Sequence, residues 1–139
     1  MEHFFDQKIL ITGASSGIGK LMAETFAAEG ARVILWDYNR AALEAVDKDL
    51  VERGLRCATY LCDVSRPYSI YDTAKRVIDE HGPIDILINN AGVVSGRPLL
   101  EISDAEIRET FDVNALAPIW MTRAFLPAMI ASLRAPRTL

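Results

Sequence analysis

The stretch KILITGASSGIG, residues 8–19, constrains the fold more than any other. Its apolar run, Ile9, Leu10 and Ile11, reads as a buried parallel strand, because strands covered on both faces are continuously apolar. The chain passes directly into Thr12-Gly13-Ala14-Ser15-Ser16-Gly17-Ile18-Gly19 and then into a helical pattern. Glycines at such a turn serve separate needs: a sharp bend, close approach of backbone N–H groups to a pyrophosphate, and tight packing of helix on strand. The helix then aims its unpaired N–H groups and positive dipole end at the loop, which makes an anion site built of backbone. The same pattern also describes a tight turn that binds nothing.

The residues downstream supply context. A second apolar strand, 32–36, ends at Asp37, 18 positions past Gly19. Dinucleotide-binding folds place an acid about 20 residues on, where it accepts hydrogen bonds from the adenosine ribose hydroxyls. Between these strands a helix over 17–29 carries Ile18, Leu21, Met22, Thr25 and Phe26 at helical spacing, read as its buried face, and stops at Gly30. Asn39 caps a helix with Leu43, Val46 and Leu50 on one stripe and Gly54 as its terminator. A third strand, 56–61, delivers Cys62-Asp63-Val64 to the carboxyl edge of the sheet. Ser65 reads as the cap of the next helix, Pro67 as its first turn, and Ile70, Ala74, Val77 and Ile78 as its apolar face. A fourth strand, 84–88, runs into Asn89-Asn90-Ala91-Gly92. Ser103-x-x-Glu106 is a capping box that opens a long helix with Ile107, Phe111, Trp120, Phe125 and Met129 among its apolar positions. Pro118 should kink that helix, just after Asn114. Four strands alternating with helices give one α/β domain over 1–139, a doubly wound parallel sheet of order 3-2-1-4. The ligand should lie across its carboxyl edge, at the switch between strands 1 and 4.

Thr12-Gly13-x-x-x-Gly17-x-Gly19, then Asp63-Val64, then Asn89-Asn90-Ala91-Gly92, then Asn114 resembles the ordered motif set of the short-chain dehydrogenase/reductase family. The resemblance covers about 8–129. The triplet Leu35-Trp36-Asp37 is similar to the family's retinol and hydroxysteroid dehydrogenase branch. The resemblance implies a Rossmann fold and hydride transfer between a nicotinamide cofactor and a secondary alcohol or carbonyl. It implies cofactor contacts at Thr12, Gly13, Ser15, Ser16, Gly17, Ile18 and Gly19, at Asp37, and at Asp63 and Val64 beside the adenine. It adds Asn90, Ala91 and Gly92, where small residues let backbone pass close to the adenosine ribose. Asp63 has a second reading as a helix cap. Asp37 favours NAD, since a carboxylate there chelates the ribose hydroxyls and repels the 2′-phosphate of NADP. Arg40 keeps NADP open as the lesser alternative. No metal site is expected.

In the resembling family a tyrosine, tuned by a lysine four residues later, acts as acid and base, a serine holds the substrate oxygen, and an asparagine positions a water. Asn114 matches that asparagine. After it the chain has one serine, Ser132, and no tyrosine or lysine, so this stretch should hold the cofactor half of the site without the catalytic Ser and Tyr-x-x-x-Lys. A non-catalytic dinucleotide-binding module and an inert fragment are the alternatives. Tyr71-x-x-x-Lys75 is the one literal match, but it falls on the helix after strand 3, and a solvated helix face is the better reading. His81, in the last turn of that helix, reads as structural. The family would continue into a glycine and a fifth apolar strand. Residues 130–139 depart from that pattern and read as a premature stop or shifted frame, leaving the sheet truncated before the fifth strand.

Half of the 139 residues are hydrophobic, enough for a real core, and the net charge of −4 without a basic cluster argues against a nucleic-acid partner. Seven residues before the first strand leave no room for a signal peptide, and no apolar run reaches the ~18 residues that span a membrane, so the expected place is the cytoplasm. Cys57 and Cys62, five apart on one strand, should face opposite ways as reduced thiols. An exposed fourth strand bearing Ile86, Leu87 and Ile88 should cause self-association.

Overall fold

The computed structural model describes residues 3–134. The apolar runs become strands β1 (Lys8–Thr12), β2 (Arg32–Asp37), β3 (Cys57–Leu61) and β4 (Ile86–Ile88). All pairings are parallel and the order is β3-β2-β1-β4, as the alternation of elements requires. Thr12 lies opposite Trp36, and Asp37 opposite Leu61, so the strands end together at one edge. Because side chains alternate across a pleated strand, each strand feeds two cores. Ile9, Ile11, Val33 and Leu35 meet helices α1 (Gly17–Ala28) and α2 (Arg40–Glu52). Leu10, Ile34 and Trp36 meet α3 (Pro67–His81) and α5 (Ala117–Arg134). Cys57 packs with the first core and Cys62 with the second, both as free thiols.

Local signals explain most of the element ends. Asn39 Oδ1 accepts the Ala42 N–H at 3.0 Å, and Leu43, Val46 and Leu50 are the buried stripe of α2. Ser103 and Glu106 form the reciprocal capping box that opens α4 (Asp104–Phe111).

Other expectations need correction. The buried residues of α1 are Gly19, Ala23 and Ala27, whereas Ile18 and Leu21 are exposed. Steric closeness decides this: α1 lies so near the sheet that only small residues fit beneath it. Met22 and Phe26 flank the contact, Phe26 against Phe4 with ring centroids 4.9 Å apart. Phe111 likewise faces outward, whereas Phe125 is fully buried. Ser65 does not cap α3. Its N–H and hydroxyl both donate to Asp63 Oδ1, at 3.0 and 2.6 Å, and Arg66 takes the cap position without a side-chain bond. At the other end of α3, Lys8 Nζ donates to His81 O at 2.8 Å and supplies the cation there, while the His81 ring bonds Tyr60 Oη.

The long helix is irregular earlier than expected. A π turn spans Asp112–Leu116 and contains Asn114, and Pro118 falls in the first turn of α5. The Ala117 N–H bonds Asp112 O, five residues back, and Pro118 brings no donor to the ladder. The proline inside α5 is Pro127. Asp104–Leu133 nevertheless runs as one helical stretch of 30 residues, long and apolar enough by length and composition to cross a membrane. The expectation that no run reaches that length therefore fails. The departing tail begins as a continuation of α5, and 135–139 lie outside the described residues.

Candidate functional site

The glycine loop is fastened to the end of β4 by four hydrogen bonds. Thr12 Oγ1 accepts from the N–H groups of Asn90 and Ala91 at 3.1 and 3.0 Å. Asn90 Nδ2 donates to Thr12 O and Gly13 O at 3.0 and 3.1 Å. This attachment explains the glycines. Gly13 has φ +63°, and a Cβ there would stand 2.9 Å from Ala91 Cα. At Gly19 a Cβ would fall on Gly13 O and Asn90 Nδ2. Gly17, φ +53°, faces open space, and the N-terminus of α1 begins there. The loop is therefore tight beneath and clear above, a bare backbone cradle of the kind that receives phosphate.

Asp37, at the end of β2, is almost fully buried beside this cradle. Its Oδ2 accepts the Ser15 N–H at 3.1 Å and its Oδ1 the Asn39 N–H at 3.0 Å. Each oxygen keeps further acceptor capacity for a ligand hydroxyl. The Cys62 N–H bonds Asp37 O at 2.9 Å and brings Asp63 and Val64 alongside. Beyond β4, Asn114 grips the loop with both ends of its amide: Oδ1 accepts the Val93 N–H and Nδ2 donates to Val93 O, each at 2.8 Å.

These elements enclose a cleft of about 480 Å³ along the carboxyl edge. The predicted residues Gly13, Ser15, Ser16, Gly17, Ile18, Asp37, Asp63, Val64, Asn90, Ala91 and Gly92 all line it. Thr12 and Gly19 lie beneath it as the buried fastening, and Asn114 stands behind Val93, outside the lining. The structure adds Trp36, Tyr38, Asn39, Ala42, Cys62, Val93, Glu109 and Val113. Of these, Glu109 and Val113 share a helix face at i, i+4 spacing, a signal present in the sequence but indistinguishable there from ordinary amphipathicity. No lysine, arginine or histidine is among the lining residues described. Arg40 instead reaches toward Glu44, 4.0 Å away along α2. Tyr71 and Lys75 lie in a separate groove between α3 and α5, with Lys75 Nζ 2.7 Å from Asp79.

A sequence model of the short chain dehydrogenase family matches residues 7–135. The chain is 47% identical over 125 residues to epidermal retinol dehydrogenase 2 of Mus musculus, an alignment covering 89% of this chain and 40% of the relative. Against estradiol 17-beta-dehydrogenase 11 of Macaca fascicularis the identity is 45% over 122 residues, or 88% of this chain and 41% of the relative. Among solved structures, a metagenomic short-chain oxidoreductase in complex with NADP superposes with TM-score 0.87 at 39% identity, covering 95% of this chain and 60% of that one. L-sorbose reductase from Gluconobacter frateurii, complexed with NADPH and L-sorbose, gives TM-score 0.86 at 31% identity, covering 95% of this chain and 51% of that one. The chain thus spans about two fifths of the length of these curated relatives. The glycine cradle, the strand order and the match over nearly all of its residues place this chain in the short-chain dehydrogenase family.

Proposed function

We propose that this chain holds the adenosine and pyrophosphate part of a nicotinamide dinucleotide for an oxidoreductase acting on a secondary alcohol or carbonyl, and that its cofactor is NAD rather than NADP. The observation that carries the reading is Asp37, buried at the cradle with both oxygens oriented by backbone N–H groups, in a cleft with no lining cation among the described residues. A carboxylate so placed accepts from ribose hydroxyls and repels a 2′-phosphate. The cradle of Gly13 and Gly17 would take the pyrophosphate, and Asp63 and Val64 the base. The bound cofactor supplies a hydride acceptor or donor. Asn114 holds the loop that shapes the cleft.

The 139 residues contain no tyrosine or lysine after Asn114, so this polypeptide is proposed to bind the dinucleotide without turning over a substrate. Self-association is proposed as well, supported by β4, which pairs on one side only among the described residues, and by the exposed Ile119 and Leu133 of α5. Titration of the purified chain with NAD and NADP tests the central reading. NAD should bind saturably and more tightly than NADP, and Asp37→Arg should reverse the preference. Binding of neither nucleotide, or a preference indifferent to Asp37, refutes it.

A further inference from the structure

Asp63 lines the cleft with its carboxylate already half engaged. Its Oδ1 accepts both donors of Ser65, the backbone N–H at 3.0 Å and the hydroxyl at 2.6 Å. A carboxylate oxygen has two lone-pair sites, so Oδ1 is fully used and the oxygen with open capacity is Oδ2. Oδ2 stands 3.4 Å from Arg66 Nε, in an ion pair whose Arg66 and Asp63 side chains are 78% and 48% exposed. Such a pair is loose, because solvent screens it and two mobile side chains must be ordered to hold it. The backbone of the segment is fixed more firmly: the Cys62 N–H bonds Asp37 O at 2.9 Å and the Arg66 N–H bonds Asp63 O at 3.2 Å. Ser65 and Arg66 are not among the lining residues described. Two neighbours outside the cleft thus act on one carboxylate inside it, Ser65 through a short directed bond and Arg66 through a weak competing one.

Resting on the proposed placement of the nucleotide base at Asp63 and Val64, we propose that Ser65 is a positioning residue for base recognition and that Arg66 opposes it. By holding Oδ1, Ser65 fixes the rotation of the carboxylate and reserves Oδ2 for the ligand. An ionised carboxylate only accepts, so it takes a hydrogen bond from an exocyclic amine and repels a carbonyl oxygen. Without the Ser65 hydroxyl the carboxylate turns more freely and is drawn further toward Arg66, and the cleft distinguishes bases less. The device selects a dinucleotide that carries a 6-aminopurine over one that carries a 6-oxopurine.

The test is calorimetric titration of the full 139-residue chain and its Ser65→Ala, Ser65→Thr and Arg66→Gln variants with NAD⁺ and with nicotinamide hypoxanthine dinucleotide, whose purine carries a 6-oxo group where NAD⁺ carries a 6-amino group. The readout is the ratio of the two dissociation constants. A loss of folded protein weakens both ligands alike and leaves that ratio unchanged, so a merely structural role does not move it. The wild type should favour NAD⁺. One hydrogen bond to a charged group supports a roughly fivefold narrowing of the preference in Ser65→Ala. Ser65→Thr keeps the hydroxyl and should keep the wild-type ratio. Arg66→Gln should widen the preference about twofold, the scale of an exposed ion pair. Equal ratios in wild type and Ser65→Ala, with NAD⁺ still bound, overturn the role of Ser65 and leave the nucleotide site standing. A narrower preference in Arg66→Gln overturns the opposing role of Arg66. A wild type that binds both dinucleotides equally overturns the whole inference, again with the site standing, whereas failure to bind either overturns the site as well.

Discussion

The two faces of the sheet solve the same packing problem with opposite means. Under α1 the contact is made by Gly19, Ala23 and Ala27, which let the helix press against β1 and hold the glycine loop in place. Under α3 and α5 the space is filled by Trp36, Phe125 and Met121, all fully buried, with Trp36 and Phe125 edge to face at 5.6 Å between centroids. The first face trades hydrophobic volume for position. The second supplies the volume. Stability and binding should therefore be separable by mutation.

Phe125→Ala should have the largest effect on stability, about 4 kcal/mol from the lost transfer energy and the cavity left behind. Nucleotide affinity should change little when measured under native conditions, since Phe125 does not line the cleft. Gly19→Ala should cost about 2–3 kcal/mol in urea unfolding, because its methyl group meets the Gly13 carbonyl and the Asn90 amide and the backbone must yield. Yet it should abolish binding, since the cradle itself is displaced. A Gly19→Ala chain that binds NAD as the wild type does would break the proposed division of labour. The smallest effect belongs to the capping box. The Ser103 N–H, with Arg97 beside it, holds the Glu106 carboxyl down from 4.5 to about 2. A depressed carboxyl stabilises the fold above its ordinary value and ceases to do so as pH falls through its folded value. The melting difference between wild type and Glu106→Gln should therefore be full above about pH 4.5 and vanish near pH 2. A difference that persists at pH 2 would assign the effect to packing.

The same contrast explains what the sequence reveals of this molecule. Strand order and the loop were legible because a continuous apolar run followed by spaced glycines has few structural meanings. The buried face of α1 was not, because apolar spacing points to Ile18 and Leu21, whereas steric closeness selects glycine and alanine. Most of the cleft was readable from residues at strand ends. Glu109 was missed because its place depends on how α4 lies over the sheet, which no local pattern encodes. The π turn escaped for a related reason: Pro118 announces a missing donor, but the preceding turn absorbs the irregularity and Asn114 falls inside it. Ser65 was misread because Asp63 competes for its hydroxyl.

The grip of Asn114 on Val93 makes a side chain behave as one rung of a ladder with no strand behind it. β4 ends at Ile88, so the segment at Val93 takes this cross-link from a helix rather than from a sheet neighbour. Its protection against solvent is then borrowed. The Val93 amide proton should exchange at a rate set by the opening of the π turn, whereas the amides of β1 exchange only when the sheet comes apart. A loop on the rim of the cleft is thus timed by the breathing of a helix one layer away.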